Sequence, residues 1–133
     1  MRFMLLLKGD PPADAVPGNG ELTPEQAATF QKVGEAMAKY SDELVKAGVL
    51  LAAEGLHPSA KGARVRVKDG RRTVVDGPFA EAKELVAGFY LIQVKDAAEA
   101  IEWAKRCPVD IALQPGQEAE VEVRQVFDTD DAG

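Results

Sequence analysis

The chemistry open to this sequence rests on a few side chains: the carboxylates of Glu54, Asp76 and Glu81, the single imidazole of His57, the amine of Lys83, the phenol of Tyr90 and the lone thiol of Cys107. An imidazole held by a carboxylate is a competent general base, because the carboxylate fixes its tautomer and raises its basicity. His57 with Asp76 or Glu54 is therefore the candidate catalytic set. Phe79, Glu81, Lys83, Phe89 and Tyr90 are the candidate ligand-binding residues. Each assignment has a plainer counterpart. Asp76 precedes Gly77-Pro78, where a turn carboxylate commonly bonds backbone N–H groups two residues on. His57 stands near a strand end without ligand spacing around it, as an exposed loop histidine would. Cys107 has no base near it in sequence to activate a nucleophile. The chain has no phosphate-cradling glycine loop, Gly-x-Ser-x-Gly elbow, paired-histidine metal motif or dinucleotide fingerprint, so no cofactor and no metal are expected.

These residues must be positioned by the elements around them, and the stretch from Thr73 to Ile92 organises the rest. An apolar strand runs into Asp76-Gly77-Pro78-Phe79, then a short charged segment, then the most hydrophobic strand of the chain. Pro78 fixes its own φ and moves Gly77 out of the α region, and Gly77 is free to take a positive φ, so the corner is stiff by composition. Leu85 to Val94 is apolar on both alternating faces, which requires a cover on each. The two helices of the chain supply one cover, and a second subunit is the natural source of the other.

In chain order, Arg2 to Lys8 reads as a short buried strand and residues 9–21 as a long loop rich in Pro, Gly, Asn and Asp. Thr23-Pro24-Glu25-Gln26 reads as a helix start with a capping box, and Ala27, Phe30, Val33, Met37, Tyr40 and Leu44 form its apolar stripe as far as the Gly48 stop. Val49 to Leu56 alternates as a strand, with Glu54 an acid on a face that otherwise reads apolar. Lys68-Asp69-Gly70 is a hairpin turn between Ala63–Val67 and Arg71–Val75. Asp96 to Glu99 caps a second helix with Ala97, Ala100, Ile101 and Ala104 inward and Trp103 off that stripe. Glu118 to Phe127 alternates as a half-exposed strand, and the acidic tail 128–133 is expected to fray. The order predicts an α+β fold, a ferredoxin-like split βαβ sandwich of the dimeric α+β barrel type with an inserted β-hairpin.

The words D-G-P-F-A-E-A-K-E followed by A-G-F-Y-L-I-Q-V resemble the DGPF subgroup of the YCII-related proteins. The likeness extends to Arg2 to Leu7, to Glu54-Gly55-Leu56-His57-Pro58, to Ala100 to Pro108 and to Glu122 to Phe127, so it covers nearly the whole chain as a single domain, 1–133. The resemblance implies the same fold and homodimers that pack sheet against sheet. Through the subgroup it also implies an association with extracytoplasmic-function sigma factor systems. The better-known branch of the family is thought to use a His and Asp pair, and some relatives act on chlorinated or lactone-like rings. Here the first helix has no His and the residue before Pro108 is Cys107, so that pair is not carried over and His57 with Asp76 or Glu54 would be a relocated arrangement.

Composition narrows the classes further. With 133 residues, 46% of them hydrophobic and 29% charged, the chain is long enough for one core without staples. The formal charge of −6 disfavours nucleic acid and anionic membranes as partners. A single cysteine fits a reducing compartment, and the apolar start is too short for a signal peptide or a membrane span, so the cytoplasm is expected. The sequence points to a dimeric small-molecule-binding or regulatory module with an apolar cleft for a small apolar or aromatic ligand. The alternative is a small cofactor-independent enzyme, a lyase, isomerase or dehydrochlorinase-like catalyst, acting on cyclic or aromatic acids through the His and carboxylate base.

Overall fold

A computed structural model describes residues 1–9 and 23–128. Positions 10–21 of the expected loop and 129–133 of the expected tail lie outside the described residues. The elements are β1 (Arg2–Lys8), α1 (Pro24–Lys46), β2 (Leu50–Gly55), β3 (Ala63–Lys68), β4 (Arg71–Asp76), β5 (Val86–Gln93), α2 (Ala97–Arg106) and β6 (Val121–Gln125), with short 3₁₀ turns at Ser59–Lys61 and Ala82–Glu84. Four strands form one sheet in the order β2-β5-β1-β6, and β3-β4 form a separate hairpin. β5 pairs antiparallel with both β1 and β2, and β1 pairs antiparallel with β6. Each helix thus crosses over a strand of the other half, which is the ferredoxin-like α+β arrangement expected from the element order.

Local chemistry sets the ends of these elements. The Gln26 N–H donates to Thr23 Oγ1 at 3.1 Å and the Thr23 N–H to Gln26 Oε1 at 3.0 Å, so the capping box is formed with Pro24 at the first helical position. At the other end Gly48 has φ +73°, its N–H donates to the Val45 carbonyl at 2.9 Å, and the Val49 N–H donates to the Leu44 carbonyl at 3.1 Å. This is a Schellman stop, which turns the chain directly into β2. The β3-β4 turn has Asp69 at φ +53° and Gly70 at φ +76°, the two positive values a type I′ hairpin requires.

The core lies between the helices and one face of the sheet. Phe3 and Leu5 of β1 and Tyr90 and Ile92 of β5 meet Tyr40, Leu44, Val49, Val94, Ala100 and Cys107, with Leu5, Leu44 and Ile92 fully buried. Tyr40 stands edge-on to Tyr90 with centroids 5.2 Å apart and donates to the Trp103 carbonyl at 2.6 Å.

Four details differ from the sequence pattern. The stripe of α1 is buried only at Tyr40 and Leu44, with Met37 packed beside them, while Ala27 and Phe30 at its start are exposed. The inward stripe of α2 is Ala100, Trp103 and Ala104, continued by Cys107 at its C-cap, while Ala97 is exposed and Ile101 is 45% exposed. Trp103 docks edge-on against Tyr40, 6.4 Å between centroids, and that contact decides the rotation of the helix. The register of β2 slips between Leu50 and Ala52, so Leu50 and Ala53 both face the core and the strict alternation fails. The last strand is Val121–Gln125, shorter than the alternating run Glu118 to Phe127.

Burial has a consequence for pH. It pushes the Cys107 thiol from 9.0 up to about 11 and moves the Tyr40 and Tyr90 phenols upward as well. The folded state holds these protons more tightly than the unfolded chain, so this contribution to stability is fully present below about pH 9 and is lost as pH rises towards 11. The urea midpoint is expected to be level from neutral pH to about 9 and to fall beyond it. A midpoint that stays constant across that alkaline range would contradict the burial of these groups.

Candidate functional site

β1 and β2 run in one direction and β5 and β6 in the other, so the ends of the first two meet the beginnings of the last two. Leu7 pairs with Gly88 and with Val121, and Gly55 also pairs with Gly88, which aligns the strands along one edge of the sheet. Lys8-Gly9, Leu56-His57, Leu85 and Glu118 to Glu120 all lie at this end, as does the corner that connects the hairpin to β5. Ladder-like bonds continue past the strands here, from the Lys8 N–H to the Glu120 carbonyl and from the Gly9 N–H to the Leu85 carbonyl, both 3.0 Å.

The Asp76-Gly77-Pro78-Phe79 corner is stiff, for a reason other than its expected φ. Gly77 is outside the set of glycines with positive φ. What requires glycine there is the Ser59 carbonyl, because a Cβ on Gly77 would fall well inside its van der Waals radius. The corner is held by the turn it touches. The Gly77 N–H donates to the Gly62 carbonyl at 3.0 Å, and the Phe79 N–H donates to Ser59 Oγ at 3.1 Å. Ser59, which no sequence motif marks, does the work expected of Asp76. Arg64 of β3 completes the corner by stacking its guanidinium 3.8 Å from the Phe79 ring centroid and lying 3.9 Å from Glu84.

The candidate residues fall into four groups. His57 and Asp76 lie on segments tied together through Ser59, Gly62, Gly77 and Phe79, yet both are exposed, and among the described residues neither side chain has a hydrogen bond or ion pair. Glu54 is exposed on the helix-free face of the sheet, paired in register with Phe89 of β5. Tyr90 points the other way, into the core, with its hydroxyl 3.4 Å from Ser41 Oγ and 3.6 Å from Met37 Sδ. Phe89 and Tyr90 are neighbours on a strand and face opposite sides, so they do not line one cleft. Glu81 and Lys83 are exposed on the segment after the corner.

An open depression of about 100 Å³ lies at this end, lined by Lys8, Gly9, Ala82, Lys83, Glu118 and Glu120. Lys83 Nζ is 3.8 Å from Glu118 Oε1 across it. Its lining charges come from the end of β1, the turn before β5 and the approach to β6. Lys83 was among the residues the sequence singled out; Lys8, Glu118 and Glu120 were not. Their types carry no motif, and only the sheet register joins them. Among the described residues no group of three His, Cys, Asp or Glu side chains is placed to hold a metal ion. No described helix is long and apolar enough to cross a membrane.

The helix-free face itself is apolar along its two central strands. Met4 and Leu6 of β1 and Ala87, Phe89 and Leu91 of β5 share it, with Arg2, Glu54, Glu122 and Arg124 around them. Met4, Leu6, Ala87, Phe89 and Leu91 are all half-buried in the single chain.

Comparison with known proteins gives two findings. A profile described as the YCII-related domain matches residues 1–128. A protein of Rhizobium meliloti (strain 1021), described as uncharacterized, is 36% identical over 75 residues, which is 56% of this chain and 60% of that protein's length.

Proposed function

The chain belongs to the YCII-related domain family, and on that footing we propose that it is a homodimeric small-molecule-binding module of the DGPF subgroup, with its ligand site at the end of the sheet where β1 and β2 finish. The observation that carries this reading is the helix-free sheet face. Two central strands present Met4, Leu6, Phe89 and Leu91 to the side that the helices leave open, and burying such a face is worth about 25 cal/mol per Å² of apolar surface. The surrounding charges are of both signs, Arg2 and Arg124 with Glu54 and Glu122, as a twofold, self-complementary interface needs.

The depression of about 100 Å³ in one chain is small beside ordinary ligand pockets, which run from roughly 300 Å³ upward, so a second chain completes it. Lys8 and Lys83 stand at its mouth beside Glu118 and Glu120, so its lining charges balance, and Phe89 and Leu6 supply apolar surface on the sheet near the same end. That combination suits a small apolar or aromatic ligand with a polar edge. A binding module also fits the sigma-factor association that the subgroup resemblance implies, and a lone buried Cys107 fits the cytoplasm.

The joining of the 57–62 turn to the 76–79 corner favours one second reading, a cofactor-independent enzyme in which His57 and Asp76 close on a bound substrate. A thermal-shift screen with small aromatic acids and lactones, followed by long incubation of every stabilising compound, separates the two. Binding without product is the expected result. Product formation that falls about tenfold or more in both His57→Ala and Asp76→Asn would replace the binding module by the enzyme.

A further inference from the structure

Two edge strands of this chain carry complementary charge patterns. β3 reads Arg64-Val65-Arg66-Val67-Lys68, with three cations on one face at alternate positions. The approach to β6 and its start read Glu118-Ala119-Glu120-Val121-Glu122, with three carboxylates at the same spacing. Among the described residues β6 is the outermost strand of the four-stranded sheet and β3 has only β4 as a neighbour, so each has an edge that no described strand pairs. The hairpin is locally basic in an acidic protein. Residues 63–76 hold five cations and two carboxylates, while the whole chain has a formal charge of −6. Val65, Val67 and Val74, on the other face of the hairpin, are 62%, 60% and 65% exposed.

We propose that the hairpin is an exchanged arm: β3 of one copy adds to the free β6 edge of a second copy, setting Arg64, Arg66 and Lys68 against Glu118, Glu120 and Glu122. The inference rests on the homodimer reading and specifies a second contact within it. Charged edges ordinarily prevent further strand pairing. Here each edge repels its own kind and attracts the other, so the charges that block random aggregation select one partner. The same register sets Val65 and Val67 beside Ala119 and Val121, on the side of the sheet that faces the helices. Position also agrees. The hairpin leaves from the end of β2, and the acidic stretch lies at the same end of the sheet beside β1. A twofold axis between two such sheets, running along their strands, places β2 of one copy over β6 of the other at that shared end.

The existing partners of these groups do not stand in the way. Arg64 lies 3.9 Å from Glu84, Lys83 3.8 Å from Glu118 and Arg124 3.5 Å from Glu122, long pairs each with at least one largely exposed member, which exchange at little cost, while the stack of Arg64 on Phe79 uses the face of the guanidinium and leaves its edge for a carboxylate. The central residues, Arg66 and Glu120, have no ion pair among the described residues.

The test is a charge swap read by sedimentation. Arg66→Glu with Lys68→Glu in one protein, and Glu118→Lys with Glu120→Lys in another, are each expected to weaken self-association by about tenfold or more at low salt. An equimolar mixture pairs a reversed arm with a reversed edge and a native arm with a native edge, so it is expected to return to within about threefold of the unmodified protein. Swapped proteins that dimerise like the unmodified chain, while a charge on the sheet face still produces monomers, would overturn the arm and leave the dimer standing. An unmodified chain that is monomeric throughout would overturn both. Retention of a short DNA duplex that is lost in the Arg66→Glu, Lys68→Glu protein, with self-association unaffected, would overturn the arm in favour of a nucleic-acid contact.

Discussion

Phe89→Glu is expected to produce a folded monomer. Phe89 sits on β5, a central strand, on the helix-free face, opposite Leu6 of β1 and Glu54 of β2. In the single chain it is half-buried and contributes nothing to the core between sheet and helices. A carboxylate there remains solvated in the monomer. In a face-to-face dimer it would be buried without a partner, which costs several kcal/mol, and directly opposite Glu54 it would add like-charge repulsion. The dimer dissociation constant is expected to rise by at least about 100-fold, equivalent to about 2.7 kcal/mol. Far-UV circular dichroism and the cooperativity of unfolding should be retained. Phe30→Glu is the control, because Phe30 is an exposed large apolar residue on the helix layer, away from the proposed interface. Equal dissociation by both variants would show a general effect of charge instead of an interface on the sheet.

Gly77→Ala is expected to have the largest effect of any single-methyl change in the chain. The new Cβ meets the backbone carbonyl of Ser59, which cannot rotate aside as a side chain would. The corner has to open, and opening breaks the Gly77 to Gly62 and Phe79 to Ser59 hydrogen bonds and displaces Phe79 from Arg64. A loss of about 1–3 kcal/mol in stability is expected, together with loss of the thermal shift produced by any ligand of the strand-end site. Asp76→Asn one residue earlier should change stability by less than about 0.5 kcal/mol, because its carboxylate is exposed and has no hydrogen-bond or ion-pair partner among the described residues. The contrast separates a corner held by Ser59 from one held by the acid. An Ala variant as stable as the parent, or an Asn variant as damaged as the Ala one, would reverse that assignment.

Much of this architecture is legible in the chain because local signals agree with each other. Thr23-Pro24-Glu25-Gln26 specifies a capping box by residue type, Asp69-Gly70 specifies a hairpin turn, and the two-sided apolarity of β5 specifies a central strand of the sheet. The order of elements then leaves few topologies. Where the sequence misleads, the deciding contact lies far along the chain. The alanines of α2 fit more than one rotation, and the Tyr40 ring, sixty-three residues from Trp103, selects the one observed. The slip at Leu51 replaces a period of two with a bulge that no residue type announces. Gly77 reads as a φ signal and serves as a steric gap.

The site is less legible than the fold for a related reason. Phe89 and Tyr90 are adjacent in sequence and lie on opposite faces of the sheet, so proximity along the chain overstates their cooperation. Lys8, Lys83, Glu118 and Glu120 are remote in sequence and adjacent in space, and no spacing rule joins them. The His57 and Asp76 segments do approach, through backbone bonds made by their neighbours and not through the two side chains themselves.

Sedimentation equilibrium of the unmodified protein at micromolar concentration tests the central claim most directly. A mass near twice 14.2 kDa is expected, because the helix-free face is then covered by a second copy and the strand-end depression gains its other wall. A single species of 14.2 kDa over the whole concentration range would contradict the covered face, the completed site and the exchanged arm together.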